Sequence, residues 1–465
     1  MNIPGHIFKS YDIRGIYPTE INEENFPGII TAIYIFYTQK LGKDRVQVAL
    51  GHDMRLSSPV LHKIALDTLV HCGAEVVDLG LVSTPTFYYA VSHFNYETGI
   101  EITASHNPKN YNGIKYVIKG ENGLIKIGKP TGMDEVKNIA LKGAVFAAQS
   151  SGMITQKNSI IADEVKSAIE AFGSPQLKKF KIAADPANAM GITYLEELER
   201  VIPMELEKMN FTLDGNFPVH QPDPVQPENL VDLQTVMRNG QFDIGFAPDG
   251  DGDRLYILDE KGEVVRPSVV TSMLAKELFK HYPDRKVVVD QKYILTATKN
   301  IESLGGQVIP TKTGHAFITE ELNNTGALFA GEASAHYYYK FTGNAESQAM
   351  TIVGVLKIMS EENKPLSEIA AEFIHSTETG EINFEVKNAQ EILDAVKEHY
   401  QDAELSTIDG ITLSYPDFRI SLRSSNTEPL LRLNIEGLDA DQVAEVKNNV
   451  IEIITSAGGH APSGH

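Results

Sequence analysis

Val46-Gln47-Val48-Ala49-Leu50-Gly51-His52-Asp53 is a short apolar run that ends in polar residues, and the same plan occurs twice more in the chain. Phe180–Pro186 repeats it, and so does Lys286–Lys292. Short runs rich in β-branched and other apolar residues that stop at polar ones are typical of buried strands. The sequence therefore predicts three copies of one α/β unit, each beginning with such a strand.

A second and a third strand complete each predicted unit, with a helical stretch before each of them. The predicted second strands are Ala74–Asp78, Phe211–Leu213 and Gly306–Ile309. The third strands lead into the polar loops Thr103–Pro108, Asp249–Arg254 and Gly331–His336. Strands that alternate with helices form mostly parallel sheets, which bind ligands beyond the carboxyl ends of their strands. We therefore expect three similar, three-layer α/β domains with mixed, mostly parallel sheets, each directing one loop into a central cleft.

The last part of the chain predicts a domain of another class, α+β. Its predicted strands are Glu381–Val386, Ile411–Tyr415, Phe418–Leu422 and Leu430–Ile435, with a helix over Ala389–Tyr400. A closing helix begins at Asp439, with Gln442 three residues on as in a capping box. Its apolar stripe consists of Val443, Val446, Val450 and Ile454. The expected domains are 1–152, 153–262, 263–374 and 375–457, and 458–465 is expected to be a disordered tail.

The composition is that of a soluble globular protein, with 42% hydrophobic and 22% charged residues among 465. We expect no signal peptide and no membrane span, because neither an apolar leader nor a run of about 18 apolar residues is present. Cys72 is the sole cysteine, which excludes an intrachain disulfide and fits a reducing cytoplasm. The net charge of −21 disfavours nucleic acid as a partner. An anionic substrate must therefore meet a local concentration of Arg and Lys.

Ser105 lies on a tight polar turn closed by Pro108, with Lys115 a short distance downstream. A serine placed in this way suits a nucleophile with a proton-transfer partner. Taken alone, such a turn is more typical of a serine whose hydroxyl caps a loop. A lysine such as Lys115 is, taken alone, usually a solvated side chain. A serine hydrolase is disfavoured, because no Gly-x-Ser-x-Gly elbow surrounds Ser105.

Asp249, Asp251 and Asp253 alternate with glycines, which lets three carboxylates turn towards one point. At about 4 Å and an effective dielectric constant of about 20, each pair of carboxylates would repel by about 4 kcal/mol. The loop therefore calls for Mg²⁺, Mn²⁺ or Ca²⁺, unless the carboxylates splay into solvent. An EF-hand is disfavoured, because Arg254 stands where its turn requires glycine and the flanks are strand-like. Arg254 would bring a fixed fork of donors to a phosphoryl oxygen.

Two further loops carry polar side chains in binding patterns. Gly331–His336 offers a carboxylate, a hydroxyl and an imidazole, a set suited to vicinal sugar hydroxyls, although a plain polar turn is as typical on composition alone. Tyr337–Tyr339, which follows it, indicates strand packing. Arg423–Pro429 places a guanidinium before small hydroxyl residues, as in an anion-binding nest, or forms an ordinary hairpin loop.

These loops, preceded by the octet Phe8–Gly15, occur in the order found in the α-D-phosphohexomutase family, which the chain resembles over nearly its whole length. The resemblance implies a phosphoserine at Ser105 and a Mg²⁺ ion held by Asp249, Asp251 and Asp253 together with that phosphoserine. The implied catalytic residues are Ser105, Lys115, Arg254 and His336. The implied substrate-binding residues are Tyr11, Arg14, Lys292, His315, Glu332, Ser334, His336, Arg423, Ser425, Asn426 and Thr427.

The resemblance also implies a reaction, the reversible transfer of a phosphoryl group between C1 and C6 of mannose and glucose phosphates. A hexose 1,6-bisphosphate would form and reorient in the cleft, while the last domain rotates to open and close it. The loops resemble the phosphomannomutase/phosphoglucomutase branch most. Phosphoglucosamine mutase is the second candidate, and a catalytically silent protein that binds sugar phosphate or metal is the non-enzyme alternative.

The chain departs from the family pattern at two positions. Ala335 stands where the family usually has Gly, which leaves the choice of sugar open, and His52 stands where it usually has Arg, which we expect to be a structural change. The expected partners are small sugar phosphates, and monomer and homodimer both stay open.

Overall fold

A computed structural model of the protein describes residues 2–143, 145–146, 150–424 and 430–461. The strands of these residues form four sheets that follow one another along the chain. Within the same ranges, none of the helices combines the length and the apolar character needed to cross a lipid bilayer.

The first sheet carries seven strands. They are β1 (Ile13–Ile16), β2 (Gln47–His52), β3 (Glu75–Leu81), β4 (Thr98–Ile102), β5 (Tyr111–Lys119), β6 (Leu124–Lys126) and β7 (Met153–Gln156). Its helices are α1 (Phe26–Leu41), α2 (Ser58–His71), α3 (Thr84–His93) and α4 (Met133–Leu141). The strand order is β1-β5-β4-β2-β3-β7, with β6 beside β5. All residues of β4 are buried, as expected for a strand covered by helices on both faces.

The second and third sheets are smaller. The second contains β8 (Phe180–Ala184), β9 (Met204–Lys208), β10 (Ile244–Pro248) and β11 (Leu255–Leu258), with helices α5 (Ile160–Ala171), α6 (Gly191–Val201) and α7 (Val231–Asn239). The third contains β12 (Lys286–Asp290), β13 (Gln307–Thr311), β14 (Phe329–Gly331), β15 (Tyr337–Tyr339) and β16 (Ala345–Glu346). Its helices are α8 (Pro267–Leu278), α9 (Leu295–Ser303), α10 (His315–Thr325), α11 (Gln348–Glu362) and α12 (Leu366–Ala371).

One arrangement of strands recurs in the first three sheets. In each, a central strand (β2, β8 or β12) pairs in parallel with two neighbours, which are β3 and β4, β9 and β10, or β13 and β14. The second neighbour then pairs with an antiparallel strand, β5, β11 or β15. The three polar loops lie between the members of these antiparallel pairs, at the carboxyl ends of β4, β10 and β14. The predicted α/β units with mixed sheets are confirmed.

One predicted strand is wrong. Phe211–Leu213 forms no strand, and the second strand of this unit is β9, which begins seven residues earlier at Met204. In β9, Met204 and Leu206 alternate with Glu205 and Glu207, because the strand lies at the edge of its sheet. An edge strand buries fewer of its side chains than a central one, so a search for continuous apolar runs misses it.

The fourth sheet confirms the predicted α+β class. It consists of β17 (Thr377–Glu378), β18 (Ile382–Glu385), β19 (Glu404–Ser406), β20 (Ile411–Ser414), β21 (Phe418–Ser424) and β22 (Leu430–Gly437), with helices α13 (Ala389–His399) and α14 (Ala440–Ser456). All of its pairings are antiparallel among the described residues. Asp439 caps α14 by accepting a hydrogen bond from the Gln442 amide at 2.8 Å, as predicted. The predicted stripe of α14 is buried.

The expectation of a disordered tail does not hold at His460. Its backbone forms an isolated antiparallel bridge with Glu385, through hydrogen bonds of 2.8 and 3.0 Å. These bonds tie His460, which follows α14, to Glu385 of β18.

A buried ion pair joins the first sheet to the third. The Lys126 ammonium on β6 donates to the Glu346 carboxylate on β16, and both side chains are almost completely buried. The ammonium also lies 4.3 Å from the ring centre of Tyr88 and 5.0 Å from that of Tyr338. A cation so enclosed is stabilised by its carboxylate partner and by the two aromatic faces.

We expect Lys126→Met to destabilise the protein by roughly 3–5 kcal/mol, because it leaves the Glu346 carboxylate buried without a partner. The double variant Lys126→Met/Glu346→Gln should recover most of that loss, since it removes the buried charge. Urea unfolding followed by circular dichroism measures both. If the single variant unfolds at the urea concentration of the unmodified protein, the ion pair does not hold the two sheets together.

Candidate active site

Ser105 is held in a constrained turn beyond the end of β4. Its φ of 51° lies in the left-handed region, and 2% of the residue is exposed. Its amide donates to Thr103 Oγ1 at 3.0 Å, and its Oγ lies 3.4 Å from Asp249 Oδ2. The hydroxyl therefore faces the aspartate loop of the second sheet. A non-glycine residue in this conformation is strained, and the conformation persists only where contacts with the surrounding structure stabilise it.

Arg55 makes many of the contacts that hold the Ser105 backbone in this conformation. Its guanidinium, 0% exposed, donates to the carbonyl oxygens of Ser105 at 2.7 Å and Asn107 at 2.6 Å. It also donates to the carbonyls of Pro108 at 2.9 Å and Tyr111 at 3.0 Å. One buried side chain thus fixes the backbone of the whole turn that follows Ser105.

The aspartate loop follows β10 and lies directly against Ser105. Asp249 caps its own loop, since its Oδ1 accepts from the amides of Gly252 at 3.1 Å and Arg254 at 3.2 Å. Gly252 has a φ of 78°, which favours glycine. A Cβ atom at Gly250 would lie 2.3 Å from the carbonyl oxygen of Ser105. The close approach of the two loops therefore requires glycine at position 250.

The three aspartates form a buried cluster that fits a hard divalent cation. Oxygen atoms of Asp249, Asp251 and Asp253 lie within 4.8 Å of one another. Burial and the nearby Asp253 and Asp251 carboxylates raise the pKa of Asp249 well above its ordinary value. Asp251 Oδ1 is buried and has no hydrogen-bond partner among the described residues. Mg²⁺ prefers oxygen ligands, and a buried carboxylate oxygen without a hydrogen-bond donor is available to bind it.

Lys115, on β5, lies beside this cluster. Its ammonium donates to Asp251 and, at 2.6 Å, to Asp253 Oδ2. Burial works against the charge, but the carboxylates of Asp251 and Asp253 outweigh it and hold the pKa of Lys115 well above its ordinary value. Lys115 is therefore a buried cation held against these two carboxylates.

The third loop reaches the same cluster through His336. The imidazole lies 3.2 Å from Asp253 Oδ1 through Nε2 and 3.0 Å from Glu332 Oε2 through Nδ1. Burial lowers its basicity, yet these carboxylates raise the pKa of His336 to about 10. Both ring nitrogens then carry hydrogens, so the 3.4 Å approach of Arg254 Nε to Nε2 is a contact and not a hydrogen bond. Ser334 Oγ lies 2.9 Å from Nδ1 and completes the group.

Ala335 keeps the backbone of this loop in a glycine-like conformation. Its φ is 65°, and its amide donates to the Glu332 carbonyl at 2.9 Å. Ala335 thus adopts the left-handed conformation that a glycine would take at this position. Glu332 and Ser334 still contact His336.

Residues of the first octet lie next to the start of α10 and the residues just before it. Tyr11 donates to the Thr313 carbonyl at 3.2 Å, and its ring centre is 5.7 Å from that of His315. Both ring nitrogens of His315 are buried without a hydrogen-bond partner among the described residues. Arg14 donates to Asn107 Oδ1 and so contacts the Ser105 loop.

Lys292 and Arg423 meet at a different place, on the carboxylate of Glu381. The distances to Glu381 Oε2 are 3.1 Å from Lys292 Nζ and 3.3 Å from Arg423 Nη2. Ser425, Asn426 and Thr427, predicted to bind phosphate, lie outside the described residues. The roles predicted for them stay predictions.

Several residues of the site were not found from the sequence. Thr84 Oγ1 lies 2.7 Å from Glu101 Oε2 and 2.6 Å from Asp251 Oδ2. Burial raises the pKa of Glu101 well above its ordinary value. The Thr84 hydroxyl lies between the two carboxyl groups and links Glu101 to the aspartate loop. Arg254 Nη1 lies 3.5 Å from Asp223 Oδ1. An acidic residue within an otherwise apolar strand, such as Glu101 on β4, is the signal that could have revealed this part of the site.

Comparison with known proteins finds four family models that match successive parts of the chain. They describe phosphoglucomutase/phosphomannomutase: α/β/α domain I matches residues 5–141, domain II 162–262, domain III 266–377, and the C-terminal domain 381–453. The phosphomannomutase of Methanocaldococcus jannaschii is 35% identical, and the match covers 97% of this chain and 98% of that protein.

Two further relatives agree with this result. A protein of Pseudomonas putida named phosphomannomutase/phosphoglucomutase is 33% identical, with 96% of this chain and 94% of that one covered. The crystal structure of a phosphoglucomutase/phosphomannomutase family protein from Burkholderia thailandensis superposes with a TM-score of 0.87 at 29% identity, covering 99% of this chain and 100% of that one.

We expect Gly250→Ala to weaken the binding of Mg²⁺ at least about tenfold, because the new Cβ pushes the aspartate loop away from Ser105 and Mg²⁺ tolerates little distortion of its ligands. Isothermal titration calorimetry measures the affinity. Gly5→Ala is the matched control, since its Cβ would approach other atoms no closer than 3.4 Å. Equal affinities of the two variants would contradict the close contact between the loops.

Proposed function

The chain belongs to the phosphoglucomutase/phosphomannomutase family, and from this premise we propose that it moves a phosphoryl group reversibly between C1 and C6 of mannose and glucose phosphates. The proposed enzyme is an isomerase that uses Mg²⁺ and a hexose 1,6-bisphosphate intermediate. The observation that carries the proposal is the placement of the Ser105 hydroxyl, 3.4 Å from Asp249 within a buried carboxylate cluster.

In the proposed reaction, Ser105 carries the phosphoryl group in the resting enzyme. The C6 hydroxyl of a hexose 1-phosphate attacks the phosphorus, the bond to Ser105 Oγ breaks, and a 1,6-bisphosphate forms. Lys115 relays the proton, giving one to Ser105 Oγ as it leaves and taking one from the attacking hydroxyl. After the bisphosphate turns round, Ser105 takes the phosphoryl group from C1, which leaves the 6-phosphate.

Charge must be balanced on the transferred group, because phosphoryl transfer depends mainly on positioning and electrostatic stabilisation. Asp249, Asp251 and Asp253, with the oxygen of Ser105, would hold Mg²⁺, which neutralises negative charge on the phosphoryl oxygens. Arg254 adds a fork of donors beside Asp249 and Asp223. His336 holds Glu332 and Ser334 in place to accept sugar hydroxyls.

Further residues are proposed to bind the substrate away from the reacting phosphoryl group. Lys292 and Arg423, with Ser425, Asn426 and Thr427, bind the phosphate that does not react. Tyr11, Arg14 and His315 are further substrate-binding residues in this proposal. The substrates are small sugar phosphates, and the proposed location is the cytoplasm, where the lone Cys72 stays reduced.

We expect the protein to interconvert glucose 1- and 6-phosphate and mannose 1- and 6-phosphate when Mg²⁺ and a trace of glucose 1,6-bisphosphate are present, and to lose this activity with EDTA. Excess Mg²⁺ should restore it, because only the ion has been removed. Coupled assays with glucose, mannose and glucosamine 1-phosphates as alternative substrates measure the preference. Turnover of glucosamine phosphate alone would assign the protein to the phosphoglucosamine branch.

We expect Ser105→Ala to lower kcat by a factor on the order of 10⁴ or more, because no other group then accepts the phosphoryl group. Intact-mass spectrometry after incubation with glucose 1,6-bisphosphate should find one added phosphoryl group in the unmodified protein and none in the variant. Ser456→Ala, at the exposed end of α14, serves as the control. Undiminished turnover by Ser105→Ala would exclude a phosphoserine mechanism.

A further inference from the structure

Two arginines face each other in the fourth sheet. Arg423 on β21 and Arg432 on β22 are direct cross-strand partners. Like charges opposite each other in an antiparallel pair are destabilising. Arg423 is nearly buried, with 8% of its side chain exposed, so water screens the repulsion poorly. An anion between the two guanidinium groups would therefore stabilise this part of the sheet.

Glu381 supplies that anion within the chain. It lies between β17 and β18, at the start of the last domain, and one carboxylate contacts both arginines. Its Oε2 is 3.3 Å from Arg423 Nη2, and its Oε1 is 3.3 Å from Arg432 Nη1. Burial works the other way, but Lys292, Arg432 and Arg423 together lower the pKa of Glu381 to about 2, so it is ionised at neutral pH.

A third cation reaches the same carboxylate from the neighbouring domain. Lys292, in the loop after β12, places its Nζ 3.1 Å from Glu381 Oε2. Glu381 therefore links a cation of the third sheet to two cations of the fourth. In this group of four side chains, three cations share the one carboxylate of Glu381.

The group also retains binding capacity. Arg423 Nε is buried and has no hydrogen-bond partner among the described residues. A guanidinium offers its donors in a planar fork that matches phosphate oxygens, and Glu381 occupies one arm of this fork. A phosphate that binds here must share or displace the contacts that Glu381 makes.

We propose that Glu381 is an internal counter-anion of the phosphate-binding cations, which a substrate phosphate draws away from it on binding. This deepens the proposed function, on which it rests, by assigning a positioning residue to the non-reacting phosphate. Glu381 keeps Lys292, Arg423 and Arg432 together when the site holds no phosphate. It also weakens phosphate binding, which lets the bisphosphate turn round and the product leave.

The test is Glu381→Gln, which removes the negative charge and keeps the shape of the side chain. We expect the variant to bind inorganic phosphate roughly tenfold more tightly, because each partly exposed ion pair competes only modestly with the ligand. The KM for glucose 1-phosphate should fall by a similar factor, while kcat does not rise. Isothermal titration calorimetry and steady-state kinetics provide the two readouts.

Glu398→Gln, on the exposed face of α13, makes the same change in net charge and is the matched control. Glu381→Asp, which keeps the charge on a shorter side chain, should fall between the unmodified protein and Glu381→Gln. Weaker or unchanged phosphate binding in Glu381→Gln, with a stable fold by circular dichroism, would overturn the proposal. Tighter phosphate binding in a protein without mutase activity would leave the counter-anion in place and remove only the proposed function.

Discussion

The buried guanidinium of Arg55 is the interaction on which the arrangement of the site depends. Transferring a charge into a protein interior is costly unless the charge is paired and hydrogen-bonded. Arg55 meets this condition through Asp53 and through four carbonyl oxygens of the turn that carries Ser105. The dependence is mutual. The turn keeps its strained Ser105 because Arg55 holds it, and Arg55 can stay buried because the turn presents its carbonyls.

A second constraint is the repulsion among the carboxylates of Asp249, Asp251 and Asp253. Lys115 and Thr84 of the first domain reduce this repulsion by donating hydrogen bonds to the carboxylates. His336 of the third domain does the same through its contact with Asp253. The ends of three sheets are therefore drawn to one point by opposite charge. The Lys126–Glu346 pair adds a contact between the first and third sheets away from that point.

The repeated units could be predicted because central parallel strands are buried on both faces and appear as apolar runs. The edge strand β9 could not, since its alternating Glu205 and Glu207 hide it. The loops that carry Ser105, Asp249 and Glu332 were predicted from their residues and order. Their supports, Arg55 and Thr84, were not, because each acts on a partner at least 50 residues away in the chain. Sequence patterns report burial along one strand, whereas these contacts depend on how separate sheets meet.

The distribution of charge explains how a strongly acidic protein can bind anionic substrates. The net charge is −21, yet the described part of the site contains two separate groups of cations. Lys115 and Arg254 lie at the aspartate loop, and Lys292, Arg423 and Arg432 surround Glu381. In both groups carboxylates from the chain contact the cations. In the proposed reaction, a bisphosphate that turns round needs binding at both ends that is specific but not too tight, and cations already paired with carboxylates meet that need.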